Sequence, residues 1–63
     1  MYNIYELFTN TLVYTGGYSA CKRWVLDHCT TICNGNKIFR TWEEDGKKFY
    51  DVGKVYYMER KYD

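Results

Sequence analysis

Proline, a charge excess and long apolar runs are all missing from this sequence, and each absence narrows what the chain can be. Because low-complexity segments and internal repeats are also missing, no linker or domain boundary is visible, and we expect one domain over residues 1–63. No apolar run approaches the roughly 18 residues of a membrane-spanning helix. The opening segment MYNIYELF lacks the basic and long apolar regions of a signal peptide. We therefore expect a cytoplasmic protein with no membrane partner.

Charge and cysteine content argue against two further classes of protein. Nine Lys and Arg against eight Asp and Glu give a formal net charge of +1. General nucleic-acid binding usually needs a basic excess, so this balance argues against it. The three cysteines are an odd number, which makes a complete internal disulfide framework impossible. Together with the missing targeting segment, this indicates a reducing compartment such as the cytosol.

Aromatic residues are abundant and provide the bulk of the expected core. The chain holds eight Tyr, three Phe and two Trp, and each buried aromatic removes about 150–250 Å² from water. A chain this short buries only about 60% of its unfolded surface. We therefore expect an ordered domain whose small core favours a homodimer, formed through a helix flank or an edge strand.

Two hairpins are predicted, one at each end of the chain. Residues 2–8 and 11–15 alternate and are joined by a two-residue turn at Thr9-Asn10. This register places four side chains on the core face: Tyr5, Leu7, Leu12 and Tyr14. Asp45-Gly46 is a strong hairpin turn after the strand 37–44, and it predicts four cross-strand pairs: Glu44–Lys47, Glu43–Lys48, Trp42–Phe49 and Arg40–Asp51. A last strand over residues 54–62 follows Gly53.

One helix is predicted between the hairpins. It begins with Ser19 as N-cap and ends near Cys33, where Asn34 and Gly35 supply a left-handed stop. The helical period places six side chains on the core face: Ala20, Cys21, Trp24, Val25, His28 and Ile32. The whole is an α+β domain in β-β-α-β-β order, with an antiparallel sheet of four to five strands and the helix packed on one face.

The crowding of cysteine and histidine between residues 16 and 35 does not predict a reactive site. Zinc needs four converging ligands, and on a helix His28 points about 100° away from Cys29. A cysteine nucleophile needs a base within reach, whereas Cys21 and His28 lie about 10 Å apart along the axis. We expect no metal, no cofactor and no catalytic residue, with Cys21 as a small buried hydrophobe and His28 as a satisfied, partly buried side chain.

Two surfaces are candidates for binding a protein partner. The helix flank of Leu26, Cys29 and Cys33 is partly apolar on the side expected to face water, and such patches often mark partner surfaces. The alternative is that one exposed leucine and two small thiols need no explanation. The last strand supplies the second candidate, since tyrosine is favoured at interfaces. Its expected contact residues are Tyr56, Tyr57, Arg60 and Lys61.

Basic residues offer a rival function. Lys22 and Arg23 lie in the first turn of the predicted helix and oppose its dipole, which a bound anion would relieve. The alternative is two solvated side chains, because the longer phosphate-loop pattern is absent. With Lys54, Arg60 and Lys61, they would form the basic part of a nucleic-acid or nucleotide-binding module whose tyrosines stack on bases.

The segment YTGGYSACKRWVLDHC resembles the strand–turn–helix centre of small virus-encoded accessory proteins, chiefly from bacteriophages. In these proteins an Ala near the helix start and a Trp four residues later dock the helix, and Ala20 and Trp24 stand at those places here. Small size, tyrosine content and one helix on an antiparallel sheet are similar too. The resemblance implies a host-takeover or anti-defence protein that blocks a host protein in the host cytoplasm, such as a CRISPR effector. It carries over no functional residue.

Overall fold

One five-stranded antiparallel sheet and one helix form the α+β fold of the computed structural model, which describes residues 1–61. The elements in chain order are β1 (Tyr2–Glu6), β2 (Thr11–Gly16), α1 (Tyr18–Asp27), β3 (Ile32–Cys33), β4 (Asn36–Lys37), β5 (Arg40–Glu44), β6 (Lys47–Asp51) and β7 (Val55–Arg60). The large sheet has the order β2-β1-β7-β6-β5, and β3 pairs with β4 separately. The predicted class is confirmed, while the small β3–β4 hairpin adds to the predicted order.

The β5–β6 hairpin has the predicted register. All four predicted pairs are formed: Arg40–Asp51, Trp42–Phe49, Glu43–Lys48 and Glu44–Lys47. Asp45 and Gly46 have φ angles of 52° and 76°, the left-handed conformation that a two-residue hairpin turn of type I′ requires. Turn chemistry and cross-strand pairs here act on neighbouring residues, so local sequence decides the register.

The turn between β1 and β2 is longer than predicted. β1 ends at Glu6. The Glu6 carboxylate accepts hydrogen bonds from the backbone N–H and the hydroxyl of Thr9, both at 2.6 Å. Asn10 takes a left-handed φ of 57° before β2 begins. The carboxylate therefore organises a four-residue turn where the alternating pattern alone favours two residues.

The changed turn moves the register of β1 against β2. Tyr5 pairs with Leu12, and a bulge then brings Ile4 opposite Tyr14. The predicted core face is therefore right for Tyr14 and wrong for Tyr5, Leu7 and Leu12. Ile4 is buried and Tyr14 packs against the core, whereas Leu7 and Leu12 are exposed. A shift of one residue moves a side chain to the other face of a sheet, so this small error has a large effect.

Helix α1 is shorter than predicted at both ends. Gly17, not Ser19, is the N-cap and has no side-chain capping bond, and the last helical residue is Asp27. Asn34 and Gly35 form the turn of the β3–β4 hairpin instead of stopping the helix. The helix has ten residues, and none within residues 1–61 is long and apolar enough to cross a bilayer.

A tertiary hydrogen bond explains the early end of α1. The backbone N–H of Thr30 donates to the carbonyl of Val52 at 3.0 Å, which ties the chain to the end of β6 instead of to the helix. β-branched residues at 30–32 also fit an extended backbone better than a helical one. The predicted strand 37–44 is divided in consequence, because Lys37 pairs with Ile32 in the small hairpin.

The core lies between α1 and one face of the sheet. Its buried members are Ile4, Cys21, Val25, Cys29, Tyr50, Val52, Tyr56 and Met58. Cys21 and Val25 are fully buried, as the helical period predicts, and Trp24 packs beside them. The prediction is wrong for Ala20 and Ile32, which are exposed. Of the predicted last strand, residues 55–60 form β7, and Tyr62 lies outside the described residues.

Candidate binding face

The face of the sheet opposite α1 has no helix packed on it among residues 1–61, and we call it the open face. Residues paired across antiparallel strands point to the same side of a sheet. The pairing registers therefore define one row of large side chains that crosses all five strands, which we call the aromatic row: Leu12, Tyr5, Tyr57, Phe49 and Trp42.

The rings of the aromatic row hold one another in place. Trp42 and Phe49 are stacked, with centroids 5.3 Å apart and planes at 4°. Phe49 and Tyr57 are 5.6 Å apart, and Tyr57 stacks on Tyr5 at 5.1 Å. All three distances lie in the favourable range for aromatic pairs. The row is thus ordered before any ligand arrives.

Tyr57, at the centre of the row, has further partners. Its hydroxyl donates a hydrogen bond to the side-chain carbonyl of Asn10, and the ammonium of Lys47 lies 5.1 Å from its ring centroid. These contacts leave Tyr57 only 7% exposed. The two ends of the row are more open, since Leu12 is 51% and Trp42 37% exposed.

Two rows of mostly charged side chains flank the aromatic row. The Arg40 row consists of Arg40, Asp51 and Val55, and the Glu44 row consists of Glu44, Lys47, Glu59, Asn3 and Thr15. Arg40 and Asp51 form an ion pair at 3.1 Å, and Lys47 approaches Glu59 at 3.7 Å. The hydrogen bond from Arg40, with a second from the Gly53 N–H, holds the pKa of the Asp51 carboxyl below its usual value. The strand residues of the open face therefore include three acidic and two basic side chains.

The β1–β2 turn extends the apolar surface at one end of the open face. Phe8 is 97% exposed and Leu7 is 44% exposed. Leu7 donates its backbone N–H to the carbonyl of Val55 at 3.0 Å, which continues the pairing of β1 with β7. A groove of about 570 Å³ lies between this turn and the β6–β7 connection. Exposed side chains of this size add apolar area beside the aromatic row.

The tyrosines expected as outward contacts in the last strand are not exposed. Tyr56 is 8% exposed and lies in the core, with its ring 5.2 Å from Trp24. Tyr57 lies on the open face, where its neighbours cover it. Arg60 and Lys61 are exposed at the end of β7. Neighbouring side chains cover both tyrosines because β7 lies in the middle of the sheet, and their contact with a partner stays a prediction.

The predicted helix flank does not exist as a surface. Leu26 is half-buried on α1, while Cys29 and Cys33 lie beyond the end of the helix. Cys29 is 8% exposed, and its thiol donates to the carbonyl of Ile38 at 3.4 Å. Cys33 is exposed in β3. Because Cys29 is buried and Cys33 lies in β3, the three side chains do not form an exposed flank of the helix.

The predicted basic residues do not join the aromatic row. Lys22 and Arg23 are exposed on α1, where they line a shallow groove on the helix side of the molecule. Lys54 lies in the connection between β6 and β7 and lines the groove beside Phe8. Lys22 and Arg23 therefore lie on the side of the sheet away from the stacking rings, whose basic neighbours are Arg40 and Lys47.

The histidine and the three cysteines do not lie together at one site. His28 is exposed, contrary to the expected partial burial, because α1 ends before it. Its Nδ1 lies 2.7 Å from the carbonyl oxygen of Trp24, and the two rings stack at 3.8 Å. Burial raises the pKa of the Cys21 thiol. No group of three His, Cys, Asp or Glu side chains suited to a metal ion occurs within residues 1–61.

Sequence reasoning missed the aromatic row as a unit. The pairing of Trp42 with Phe49 follows from the Asp45-Gly46 turn, but the pairing of β1 with β7 joins residues 50 to 58 positions apart. No local pattern in the chain signals that pairing. Comparisons with protein-family models, curated proteins and solved structures gave no match.

Proposed function

We propose that this chain is a non-enzymatic binding protein that covers, and thereby blocks, a surface of another protein with its open face. The supporting observation is the aromatic row, which crosses all five strands on the face that has no helix packed on it among residues 1–61. Tyrosine, tryptophan, phenylalanine and arginine are enriched in protein interfaces. Because the rings are already stacked, little side-chain entropy is lost when a partner packs on them.

The charges of the open face favour a protein over a nucleic acid. Stacked aromatics on an antiparallel sheet also suit unpaired bases, but such sites combine the rings with a positively charged groove. Here three acidic and two basic strand residues surround the rings, and Lys22 and Arg23 lie on the helix side. A phosphate backbone on the open face would meet repulsion from Glu44 and Glu59. Nucleic-acid binding therefore remains the second candidate.

The resemblance to bacteriophage accessory proteins supports a host protein as the target. On that proposal, the chain acts in the cytoplasm of a bacterial host and inhibits a component of its defences, such as a CRISPR effector. A rigid sheet that covers a functional surface acts by occlusion and needs no catalytic group.

The experiment is an affinity capture from bacterial lysate with variants of the open face. The tagged chain, a Leu12→Ser/Trp42→Ala double variant and an Ile32→Ala control are compared in nuclease-treated and untreated lysate. Ile32 is 63% exposed in β3, so its truncation removes exposed apolar surface away from the open face. Circular dichroism confirms that each variant is folded.

The proposal predicts a host protein that the wild type and the control retain, with or without nuclease, and that the double variant loses. The captured protein is then purified and titrated against all three chains, and its activity is assayed with and without the bound chain. Equal capture by the double variant would move binding away from the open face. Loss of the captured material on nuclease treatment would favour the nucleic-acid module.

A further inference from the structure

We propose that, in the absence of a target, the open face binds a second copy of this chain about a twofold axis that runs along the aromatic row. The inference uses the same face as the proposed function but does not require that any target exists. The charges of the open face are self-complementary under this one rotation.

The charges on β5 and β6 change sign across the aromatic row. On β5, Arg40 precedes Trp42 by two residues and Glu44 follows it by two. On β6, Asp51 lies beside Arg40 and Lys47 lies beside Glu44. A rotation of 180° about an axis along the row places the Arg40 row of one copy over the Glu44 row of the other. Each strand then faces the same strand of the second copy. Arg40 of one copy then faces Glu44 of the other, and Asp51 faces Lys47.

The other face-to-face twofold axis, along the strands, gives no such match. With β7 in the centre of the sheet, that rotation places β5 over β2 and β6 over β1. β2 has the sequence TLVYTG and carries no charge, and the open-face residues of β1 are uncharged too. Only the axis along the aromatic row therefore brings opposite charges together, with four pairs in each dimer.

The dimensions fit two packed sheets. Facing sheets pack about 10 Å apart with their strands within about 30° of alignment. The Arg40 side chain is 81% exposed and reaches across a gap of that size. The same rotation places each member of the aromatic row against its own counterpart, so Leu12 and Trp42, the more open ends, become covered.

The size of the face predicts a weak and reversible dimer. Five strands span about 24 Å across the sheet and five residues span about 17 Å along a strand. The flat area of the face is thus about 400 Å², half of the roughly 800 Å² per partner of a standard interface. The charge pairs at the edge are solvent-accessible, so salt weakens them. A target protein that binds the open face would compete with the second copy.

A complementary-charge experiment tests the axis. In a dimer of the Arg40→Glu variant, two glutamates face each other at each of the two contacts that Arg40 and Glu44 make in the wild type. In a dimer of the Glu44→Arg variant, two arginines face each other there. An equimolar mixture restores both attractive pairs, because each copy then carries the charge that the other needs. Mass is measured by sedimentation velocity from about 10 µM to 1 mM, starting from the monomer mass of 7.6 kDa.

We expect the wild type to dimerise. Arg40→Glu and Glu44→Arg should each self-associate at least about tenfold more weakly than the wild type. Their equimolar mixture should regain most of the lost dimer affinity. Glu43→Arg is the matched control, since Glu43 has the same charge on the same strand but faces the other side of the sheet. This control should dimerise like the wild type. A wild type that stays at monomer mass, or a mixture no tighter than its parts, overturns the proposal.

A further variant separates the open face from the β5 edge. Two β5 strands paired edge to edge would also place Arg40 beside Glu44, so the mixture alone does not distinguish the two interfaces. Leu12→Asp, four strands away from β5, weakens only the face-to-face dimer. It also gives an independent result if Arg40→Glu fails to fold. Unchanged association of Leu12→Asp assigns the dimer to the edge and contradicts the proposal, whereas target capture that still depends on the open face leaves the proposed function standing.

Discussion

Tyr5 and Tyr57 stack at 5.1 Å across the boundary between β1 and β7, and this contact joins the two ends of the chain in the middle of the sheet. The sheet is complete only when its last strand pairs with its first. Stability therefore depends on a few side chains that hold this central pair of strands together, and Tyr57 is the most connected of them.

Replacing Tyr57 by alanine should come close to unfolding the protein. Loss of a largely buried aromatic costs about 3 kcal/mol, and a domain of this size has only about 3–5 kcal/mol in total. Tyr57→Phe keeps the ring contacts and loses only the hydrogen bond to Asn10, worth about 1 kcal/mol. Urea denaturation followed by circular dichroism measures both. Equal losses in the two variants would show that the hydroxyl, not the stacking, holds β7.

The three thiols should differ in reactivity towards a thiol reagent under native conditions. Cys33 is exposed, whereas Cys21 and Cys29 are buried. Burial also raises the pKa of Cys21, which lowers its thiolate fraction. We expect one thiol to react quickly in the folded protein and three after denaturation. Fast reaction of Cys29 would mean that the segment after α1 is not packed as described, and a Cys33→Ser variant identifies the fast thiol.

Acid should destabilise the fold through Glu6 and Asp51. The hydrogen bonds from Thr9 lower the pKa of Glu6 below its ordinary 4.5, and the bond from Arg40 lowers the pKa of Asp51 below 3.8. A carboxyl with a lowered folded-state pKa contributes stability above its unfolded value, and this contribution disappears as the pH falls through the folded value. Unfolding free energy should therefore fall below about pH 4.5.

The variants Glu6→Gln and Asp51→Asn test the assignment of this acid effect. Each should reduce the stability at about pH 7 and flatten its dependence on pH between about 5 and 3, and the double variant should flatten it further. Urea denaturation at several pH values gives the slopes. If the double variant lost as much stability on acidification as the wild type, other carboxyls would be responsible.

Gly53 should tolerate no side chain. It has a φ of 104°, and a Cβ there would overlap the hydroxyl oxygen of Thr30. That hydroxyl donates to the carbonyl of Val52 at 3.3 Å, so moving it disturbs the tie between the end of α1 and the sheet. We expect Gly53→Ala to cost at least about 2 kcal/mol. Thermal denaturation measures this, and adding Thr30→Ala should recover the steric part but not the backbone strain.

Gly17 provides the contrasting position. A Cβ there meets no atom within 4 Å, and its φ of −70° suits any residue. Gly17→Ser adds a capping oxygen to a helix that has no side-chain cap, for a gain of about a few tenths of a kcal/mol. A loss of stability in Gly17→Ser as large as in Gly53→Ala would show that the conformation of Gly53 is not the cause.

Local chemistry was enough to predict part of this fold. The Asp45-Gly46 turn and the opposite charges beside it specify the β5–β6 register from neighbouring residues. The helical period likewise identifies Cys21 and Val25 as buried, because the spacing of side chains around a helix is a local property.

Contacts between distant segments decided the rest. The Asn34-Gly35 pair suits a helix stop and a hairpin turn equally well, and the bond from Thr30 to Val52, together with the β-branched residues at 30–32, selects the hairpin. The first hairpin is a different case, because hydrogen bonds to Glu6 from Thr9, only three residues away, move it out of its predicted register.

The sequence by itself determined the class of the domain, one hairpin register and the buried centre of the helix, because turn geometry and side-chain periods depend on near neighbours. Only the tertiary structure decided where α1 ends and which side of the sheet stays open. It also decided that aromatic residues from different strands form one row across the sheet, since that row requires β7 to pair with β1 across almost the whole length of the chain.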